Sequence, residues 1–556
     1  MSVIDPLPVP DPLPSRVPTA VLAPSPHTPS FVLGAANRSY KHQYASIYFV
    51  RLQLLRKFVL ARARRRWRGL SGNPVFVPRV LDVEKGNLCY IIGTVYLDMP
   101  LKPNVLEDLA RDHSLPAPAP RPKYHSEDDQ VTLEDESGRI VLVGAPLRAA
   151  QLVTGVVLGV LGAETNGGEF EVIDVCYAGM APQPDSDVSW EQSGATGAAD
   201  AMDVDGAPRQ IQIEGQETDE WIALVSGLEI GASSPADAQI QMMVEYLAGE
   251  AGGLYDQVTS ARISRLIIAG NSLAPIVNTN TNEEERAERK ARRYGHDTAN
   301  FSPQPSLILS EYLHDIARAM PVHILPGASD PAGTLLPQQP FPRAMFRGAS
   351  AFSSFSCETN PTYIHLGPSA FDALQETSPQ NTKGKKASTS AFASGVPSAS
   401  GSCTPSRTLL VSSGQPVDDM FKYLSSPPAT RLSIATSTLR WRHLAPTAPD
   451  TLWCHPYFGA DPFAIRETPD VYVVGNQPGF GTRVVTERGW GTDSDAVSDE
   501  VEEEGLEGEG RDKRCRVVLV PGFRETGILV LLNMRTLAVR TVQFAVEGMS
   551  AGGSET

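Results

Sequence analysis

The sequence predicts an α/β plus β protein in which an N-terminal helix and a small β-barrel precede a larger layered α/β sandwich. Three observations predict this fold. Apolar residues recur every three or four positions within 38–70. Short strand-like runs separated by turn residues fill 75–180. From residue 221 onward, strand-like and helix-like segments alternate, as expected for βαβ units.

Acidic residues are concentrated in two segments, 183–220 and 486–514. The first carries ten acids and one base, the second eleven acids and four bases, and together they account for the whole formal charge of −16. The rest of the chain is therefore neutral overall and is not repelled by a polyanion. We expect a disordered acidic linker over 183–219 and disordered insertions over 377–406, which is rich in Ser, Thr and Lys, and over 486–514.

The six cysteines contain no CxxC pair, which argues against a zinc ribbon and indicates reduced, intracellular thiols. No apolar stretch approaches the roughly 20 residues that span a bilayer, and the N-terminus lacks the pattern of a secretory signal. We expect a soluble cytosolic or nuclear protein without a cofactor.

The first 35 residues repeat proline at short intervals, which predicts a disordered tail because proline lacks a backbone N–H. Residues 36–70 are expected to form an amphipathic helix. Its apolar positions lie three or four residues apart. They are Tyr44, Ile47, Tyr48, Leu52, Leu55 and Phe58.

The second half of this helix is strongly basic. Its candidate contact residues, within the basic run from Arg51 to Arg68, are Arg56, Lys57, Arg62, Arg64, Arg65 and Arg66. One interpretation is a solvated face whose arginines lay their apolar stems on the protein. The other is contact with nucleic acid, an acidic partner or an import receptor. The sequence leaves both open.

Residues 71–182 contain five strand-like runs with a longer excursion over 102–130, which is typical of a Greek-key barrel of the oligonucleotide/oligosaccharide-binding (OB) type. Such barrels can hold single strands by stacking bases on aromatic side chains. Few aromatics lie in these runs: Tyr90, Tyr96, Phe170 and Tyr177. Both single-strand binding and protein docking remain possible for this barrel.

Residues 220–548 should form the α/β sandwich, and four turns there follow predicted strands. They read VSGL (225–228), AGNSL (269–273), PGASDP (326–331) and GNQPGFG (475–481). Their order and spacing resemble those of the calcineurin-like phosphoesterases, whose turns read DxH, GDxxD, GNH followed by an acid, and GHxH. In that family these carboxylates and imidazoles hold two divalent metals that activate water and bind the phosphate.

In this chain most of the ligand positions are replaced. They are occupied by Ser226, Leu228, Gly270, Asn271, Ala328, Ser329, Asp330, Asn476 and Pro478, with His443 near the place of the family's isolated histidine. One acid and one histidine cannot hold two metals, since neutral side chains do not offset the desolvation of a cation. The resemblance therefore implies an inactive phosphoesterase domain with no catalytic, metal or cofactor residue. A nuclease with relocated ligands would need Asp330, His443, His455 and His323 to converge.

Further segments indicate the type of protein. RSYKHQYASIYFVRL (38–52), LPQQP (336–340) and HLAPTAPDTL (443–452) resemble the B-subunits of the replicative DNA polymerases. The short N-terminus and the SYKHQYASIY segment favour a delta-type B-subunit over the alpha and epsilon types.

The resemblance implies a non-catalytic accessory subunit that acts in DNA replication and repair synthesis in the nucleus. It would hold the C-terminal cysteine-rich domain of the polymerase delta catalytic subunit and a third subunit that reaches the sliding clamp, and would meet DNA only indirectly. Trp453, Tyr457 and Phe458 are interface candidates by residue type, although core positions explain them equally well. The alternatives are a B-subunit of polymerase alpha or epsilon, and a single-strand-binding module with the barrel and residues 51–68 as its groove.

Overall fold

The structure is a computed structural model. It describes residues 10, 14–16, 19–34, 44–103, 121–184, 220–275, 302–368, 405–457, 459–489 and 511–546. Most of the predicted linker and insertions therefore lies outside the described residues. Within the described part, no helix is both long and apolar enough to cross a membrane.

A two-residue strand, β1 (Ala20–Val21), precedes the predicted helix, α1 (Ala45–Arg66). The apolar face of α1 packs on the barrel strands described next. Its buried residues are Ile47, Leu52, Leu55, Val59 and Ala63. Because this face is covered, the helix is part of the barrel domain and not a separate basic arm.

The barrel has the predicted Greek-key form. Its strands are β2 (Val75–Phe76), β3 (Cys89–Asp98), β4 (Gln130–Glu134), β5 (Arg139–Val143), β6 (Val157–Glu164) and β7 (Phe170–Tyr177), with a short helix, α2 (Ala145–Ala149), between β5 and β6. Strands β3, β4, β5, β7 and β6 pair in that order, and β6 pairs back onto β3. The ring is therefore closed, and its β5–β7 pair is parallel.

The first sheet of the sandwich has the order β11-β10-β9-β8-β17-β18. Its strands are β8 (Trp221–Val225), β9 (Ile263–Ala269), β10 (Val322–Leu325), β11 (Phe355–Cys357), β17 (Ile528–Asn533) and β18 (Val539–Gln543). Strands β8 to β11 run parallel. Its outer face is covered by α3 (Asp237–Ala248), α4 (Leu254–Ala261), α5 (Gln304–Ala319) and a 3₁₀ segment (Arg343–Ala351).

The second sheet has the order β1-β12-β13-β14-β16-β15. Its further strands are β12 (Thr362–Gly367), β13 (Arg407–Ser412), β14 (Val471–Gln477), β15 (Gly481–Glu487) and β16 (Lys513–Pro521). Helices α6 (Gln415–Tyr423) and α7 (Arg431–Trp441) cover its outer face, and α8 (Phe523–Thr526) follows β16. The two sheets face each other across buried aliphatic side chains such as Leu224, Ile267, Val411 and Val473.

The prediction of a disordered tail over 1–35 is wrong for residues 19–34. Strand β1 pairs antiparallel with β12 at the sheet edge. The backbone oxygen of Thr19 accepts a hydrogen bond from Arg265 at 2.7 Å, and Phe31 stacks on Tyr363 with 5.8 Å between ring centroids. Proline is tolerated in residues 19–34, hereafter the N-terminal strap, because an edge strand needs few N–H donors. The buried Phe31 ring anchors this strap.

The barrel and the helical layer on the second sheet share one apolar core. Val95 and Leu158 of the barrel belong to the same buried cluster as Ile434 and Trp441 of α7 and Leu444 beyond it. The predicted boundary at residue 182 thus separates sequence segments and not independent cores.

The predicted limits of the second insertion are also too wide. Glu487 and Lys513 pair across the β15–β16 hairpin, so 486–487 and 513–514 belong to strands. Periodicity did not reveal these strand ends because they carry no apolar residue, and three of the four side chains are charged.

Candidate functional site

The structure brings together the four predicted turns, hereafter the strand-exit edge (226–228, 270–271, 328–330 and 476–478). The N–H of Gly227 donates to the oxygen of Gly270 at 3.0 Å. The N–H of Asn476 donates to Ser226 Oγ at 2.8 Å, and that of Ser329 to Asn271 Oδ1 at 3.2 Å. Four of the residues at the predicted ligand positions thus bind one another in pairs, Ser226 with Asn476 and Asn271 with Ser329.

Glycine is required at one of these turns. Gly270 has φ +85, and a Cβ there would lie 2.5 Å from the Cβ of Ser413. Both the backbone angle and the close approach exclude a larger residue. The glycine therefore serves the packing of the turn.

Asp330 is the acid of this edge, and it is buried. Its carboxylate accepts hydrogen bonds from the N–H groups of Leu273 and Gly327, both at 2.8 Å. Burial raises the pKa of Asp330 to about 6, against the lowering effect of these backbone donors. The side chain fastens the turn after β10 to the turn after β9.

Neutral amides fill the edge beside Asp330. Asn360 Nδ2 lies 2.7 Å from Gln338 Oε1, 2.6 Å from Ser413 Oγ and 2.9 Å from Gln415 Oε1. Asn360 Oδ1 accepts the N–H of Ser413 at 2.9 Å, and Gln338 in turn donates to the oxygen of Gly327 at 3.0 Å. This amide network links the loops through uncharged groups.

Asn476 extends the same network from the second sheet. Its Nδ2 donates to the oxygens of Ala269 and Ser413 at 3.1 and 2.8 Å. Its Oδ1 is buried without a hydrogen-bond partner among the described residues. Most, although not all, of the hydrogen-bonding capacity named here for the strand-exit edge is therefore satisfied by groups of the chain itself.

Sequence reasoning missed the network residues Gln338, Asn360, Ser413 and Gln415. The available signal was SSGQ (412–415), a polar turn directly after the apolar run RTLLV. It is a fifth strand exit at the same sheet ends, and it matched no motif of the phosphoesterases.

His443 lies away from this edge, at the junction between barrel and sandwich. Its Nε2 is 2.8 Å from Asp461 Oδ2, and the same oxygen is 2.9 Å from Arg51 Nε of α1. We call these three buried residues the junction triad. Arg51 also donates to the oxygens of Pro446 and Ala448 at 2.7 and 2.8 Å. The triad fixes α1 to the HLAPTAPDTL segment.

The hydrogen bonds determine the protonation of the triad. His443 Nδ1 accepts the N–H of Ala445 at 3.2 Å, so its proton resides on Nε2 and points to Asp461. Burial and, to a smaller extent, the positive charge of Arg51 lower the pKa of His443 to about 4, against the raising effect of Asp461. Burial would raise the pKa of Asp461, but His443 and Arg51 outweigh it and hold that pKa well below its ordinary value.

No metal site forms from these residues. Among the described residues, no group of three or more His, Cys, Asp or Glu side chains could hold a metal ion. Asp330 lies at the edge and His443 in the triad, while His323 Nδ1 is 2.8 Å from Glu358. Three of the four ligands that a relocated nuclease site would need, Asp330, His443 and His323, are thus engaged at separate places.

Several of the basic residues of α1 pair with carboxylates of the chain itself. Arg56 lies 2.6 Å from Glu136, and Arg62 lies 2.6 Å from Glu487 of β15. Arg66 contacts Asp174 of β7 through two nitrogens. Nucleic-acid or partner contact stays a prediction for the exposed Lys57, Arg64 and Arg65.

The aromatic candidates divide by exposure. Trp453 is 63% exposed, whereas Tyr457 is buried and donates its hydroxyl to the oxygen of Leu336 at 3.2 Å. Phe458 lies outside the described residues. In the barrel, Tyr90 and Phe170 are buried, so they offer no open platform for a base.

Comparisons with known proteins match both parts of the chain. Residues 43–175 match the family described as the DNA polymerase delta subunit OB-fold domain. Residues 222–376 and 403–482 match the family described as the B-subunits of DNA polymerases alpha and epsilon. The first match includes α1, in agreement with its packing on the barrel, and the second omits most of the predicted insertion over 377–406.

Whole-length relatives give the same result. The chain is 33% identical to the DNA polymerase delta small subunit of Arabidopsis thaliana, over 91% of this chain and 92% of the relative. Identity is 31% to the Oryza sativa subsp. japonica protein of that name, over 90% and 93%. For the Saccharomyces cerevisiae protein it is 30%, over 93% and 92%.

Proposed function

Since the chain belongs to the family of DNA polymerase delta small subunits, we propose that it is a non-catalytic accessory subunit of a nuclear DNA polymerase delta. It would bridge the C-terminal cysteine-rich domain of the catalytic subunit to a further accessory subunit during DNA replication and repair synthesis. DNA contact through this bridge would be indirect.

One observation carries this proposal: the amide network occupies the strand-exit edge. In an open α/β fold, ligand-binding and catalytic residues lie where loops leave the carboxyl ends of the strands. Here Asn360, Ser413 and Gln338 bind one another at those ends, and Asp330 is buried under backbone donors. The arrangement supports a calcineurin-like sandwich that has exchanged metal ligands for internal hydrogen bonds.

The continuous core supports a scaffold. Barrel, α1 and sandwich are joined by one buried apolar cluster and by the junction triad. A partner therefore meets a pre-formed surface, and little conformational entropy is lost on binding. Among the described residues of the 443–457 region, Trp453 is the exposed aromatic, and it is our choice for an interface anchor.

Co-expression with the polymerase delta catalytic subunit, scored by size-exclusion chromatography, tests the proposal. We expect a stable complex with the native chain and a weakened one with Trp453→Asp. Tyr255→Asp is the matched control, since Tyr255 is 64% exposed but lies on α4 over the first sheet. Separate elution of the native chain and the catalytic subunit would contradict the scaffold function. Equal weakening by both variants would contradict the choice of Trp453.

A further inference from the structure

A cleft of about 650 Å³ separates the barrel from the second sheet of the sandwich. Residues 149–151 and 174–177 form its barrel side, and α7 and β15 form its sandwich side. It lies at the opposite end of α1 from Arg51, where Arg66 enters its wall. Hereafter we call it the arginine cleft.

Positive charge is in excess in this cleft. Arg66, Arg440 and Arg483 line it, and Asp174 is the acid among its described lining residues. Asp174 is occupied by Arg66 at 2.6 and 2.8 Å and by the Trp67 indole N–H at 2.8 Å. Arg440 and Arg483 are exposed and make no ion pair with a described residue.

Hydroxyl groups lie beside these arginines. Ser433, Ser437 and Arg440 are spaced by four and three residues along α7, so they share one face of the helix. The Ser433 hydroxyl donates within the chain, to the oxygen of Thr430 at 2.8 Å, so Ser437 is the serine of this face that adds a neutral donor. Guanidinium groups bind phosphate oxygens in a bidentate manner. The lining thus matches a chain of phosphates.

The aromatic lining residues offer little open ring surface for base stacking. Trp441 is buried, and Tyr177 is half-buried, with its hydroxyl donating to the oxygen of Ala150 at 3.1 Å. A nucleic acid in this cleft would therefore be held by its phosphate backbone and not by its bases. Along α1, Arg56, Arg62 and Arg66 pair with carboxylates of the chain itself, and contact through the exposed Lys57, Arg64 and Arg65 stays a separate prediction.

We propose that the arginine cleft binds the phosphate backbone of single-stranded nucleic acid, without reading its sequence. A single strand can present consecutive phosphates to a concave site of this size, whereas a duplex presents two backbones across a groove about 12 Å wide. This binding would be a direct contact of the subunit with nucleic acid, separate from its surfaces for protein partners.

Fluorescence anisotropy of a labelled oligothymidylate with the full-length chain tests the proposal. The change is Arg440→Glu with Arg483→Glu. We expect at least a tenfold loss of affinity at about 50 mM salt, and a reduction of about 1.4 in the slope of log affinity against log salt, because two phosphate contacts are lost. The control is Arg318→Glu with Arg347→Glu, exposed arginines on the helical face of the first sheet, which should change affinity less than about twofold.

The outcomes are decisive in both directions. Equal weakening by the two double variants would show an effect of net charge alone and overturn the proposal, as would no binding by the native chain at low salt. Equally tight, equally sensitive binding of a duplex would overturn the single-strand assignment. Tighter binding of a phosphoserine peptide would assign the cleft to phosphopeptides instead. If the double variant does not fold by circular dichroism, Arg440→Gln with Arg483→Gln is used under the same criteria.

Discussion

The strand-exit edge and the junction triad are both buried polar regions, but their side chains are stabilised by different interactions. At the edge, Asn360, Gln338 and Ser413 satisfy one another without charge. At the junction, Arg51 and Asp461 form an ion pair with side chains 0% and 1% exposed. The comparison indicates that a buried ion pair holds the barrel to the sandwich, while uncharged amides and one buried acid, Asp330, hold the strand-exit edge together.

The largest effect is expected from Arg51→Ala. Removing the guanidinium leaves the Asp461 carboxylate buried without its cation, which typically costs about 3–5 kcal/mol. The free energy of unfolding from urea titration measures the loss. The matched control is Arg66→Ala, whose side chain is 53% exposed in its pair with Asp174 and should contribute at most about 1 kcal/mol. Similar losses for the two variants would contradict the role of the triad.

The second largest effect is expected from the amide network. Asn360→Ala leaves buried partners such as Gln338 and Ser413 without hydrogen bonds, and we expect a loss of about 2–3 kcal/mol. Gln241→Ala, which removes an exposed amide of α3 bound to Glu245, should change stability by less than about 0.5 kcal/mol. Thermal and urea unfolding of both variants give the comparison. A change below about 0.5 kcal/mol for Asn360→Ala would show that the network does not stabilise the edge.

The third effect is a pH dependence of the unfolding free energy, which we expect from the junction triad. The pKa of His443 is about 4 in the folded chain and 6.5 ordinarily, so between these values the unfolded state binds more protons. The stability contributed by neutral His443 is therefore complete above about pH 6.5 and is lost as pH falls toward 4, by about 2 kcal/mol near pH 5. Protonation would also place a hydrogen on Nδ1 against the N–H of Ala445.

Unfolding free energies of the native chain and His443→Gln at a series of pH values measure this contribution. The native chain should lose more stability than the variant between about pH 6.5 and 5. Parallel curves would show that His443 does not titrate as its burial indicates.

Much of the fold follows from the sequence because its signals are local. The spacing of Leu52 and Leu55 predicts α1, and the apolar runs WIALV of β8 and LIIA of β9 predict buried strands. The convergence of Ser226, Gly270 and Asn476 follows from where parallel strands end. These inferences need only neighbours in the chain.

The features that sequence reasoning missed depend on distant partners. Arg51 meets Asp461 across 410 positions, so its burial is invisible in a basic run that otherwise looks like a solvated face. Hydrophobic periodicity did not reveal the N-terminal strap because prolines interrupt it, yet Phe31 is buried against Tyr363. Asn360 matched no motif, since an amide network has no fixed spacing.

Hydrolysis of a phosphodiester by the purified full-length chain in the presence of Mn²⁺ measures whether the sandwich retains phosphoesterase activity. We expect a rate equal to that of the metal alone, because the strand-exit edge offers a buried Asp330 among neutral amides. Manganese-dependent turnover that disappears in Asp330→Asn would contradict this expectation.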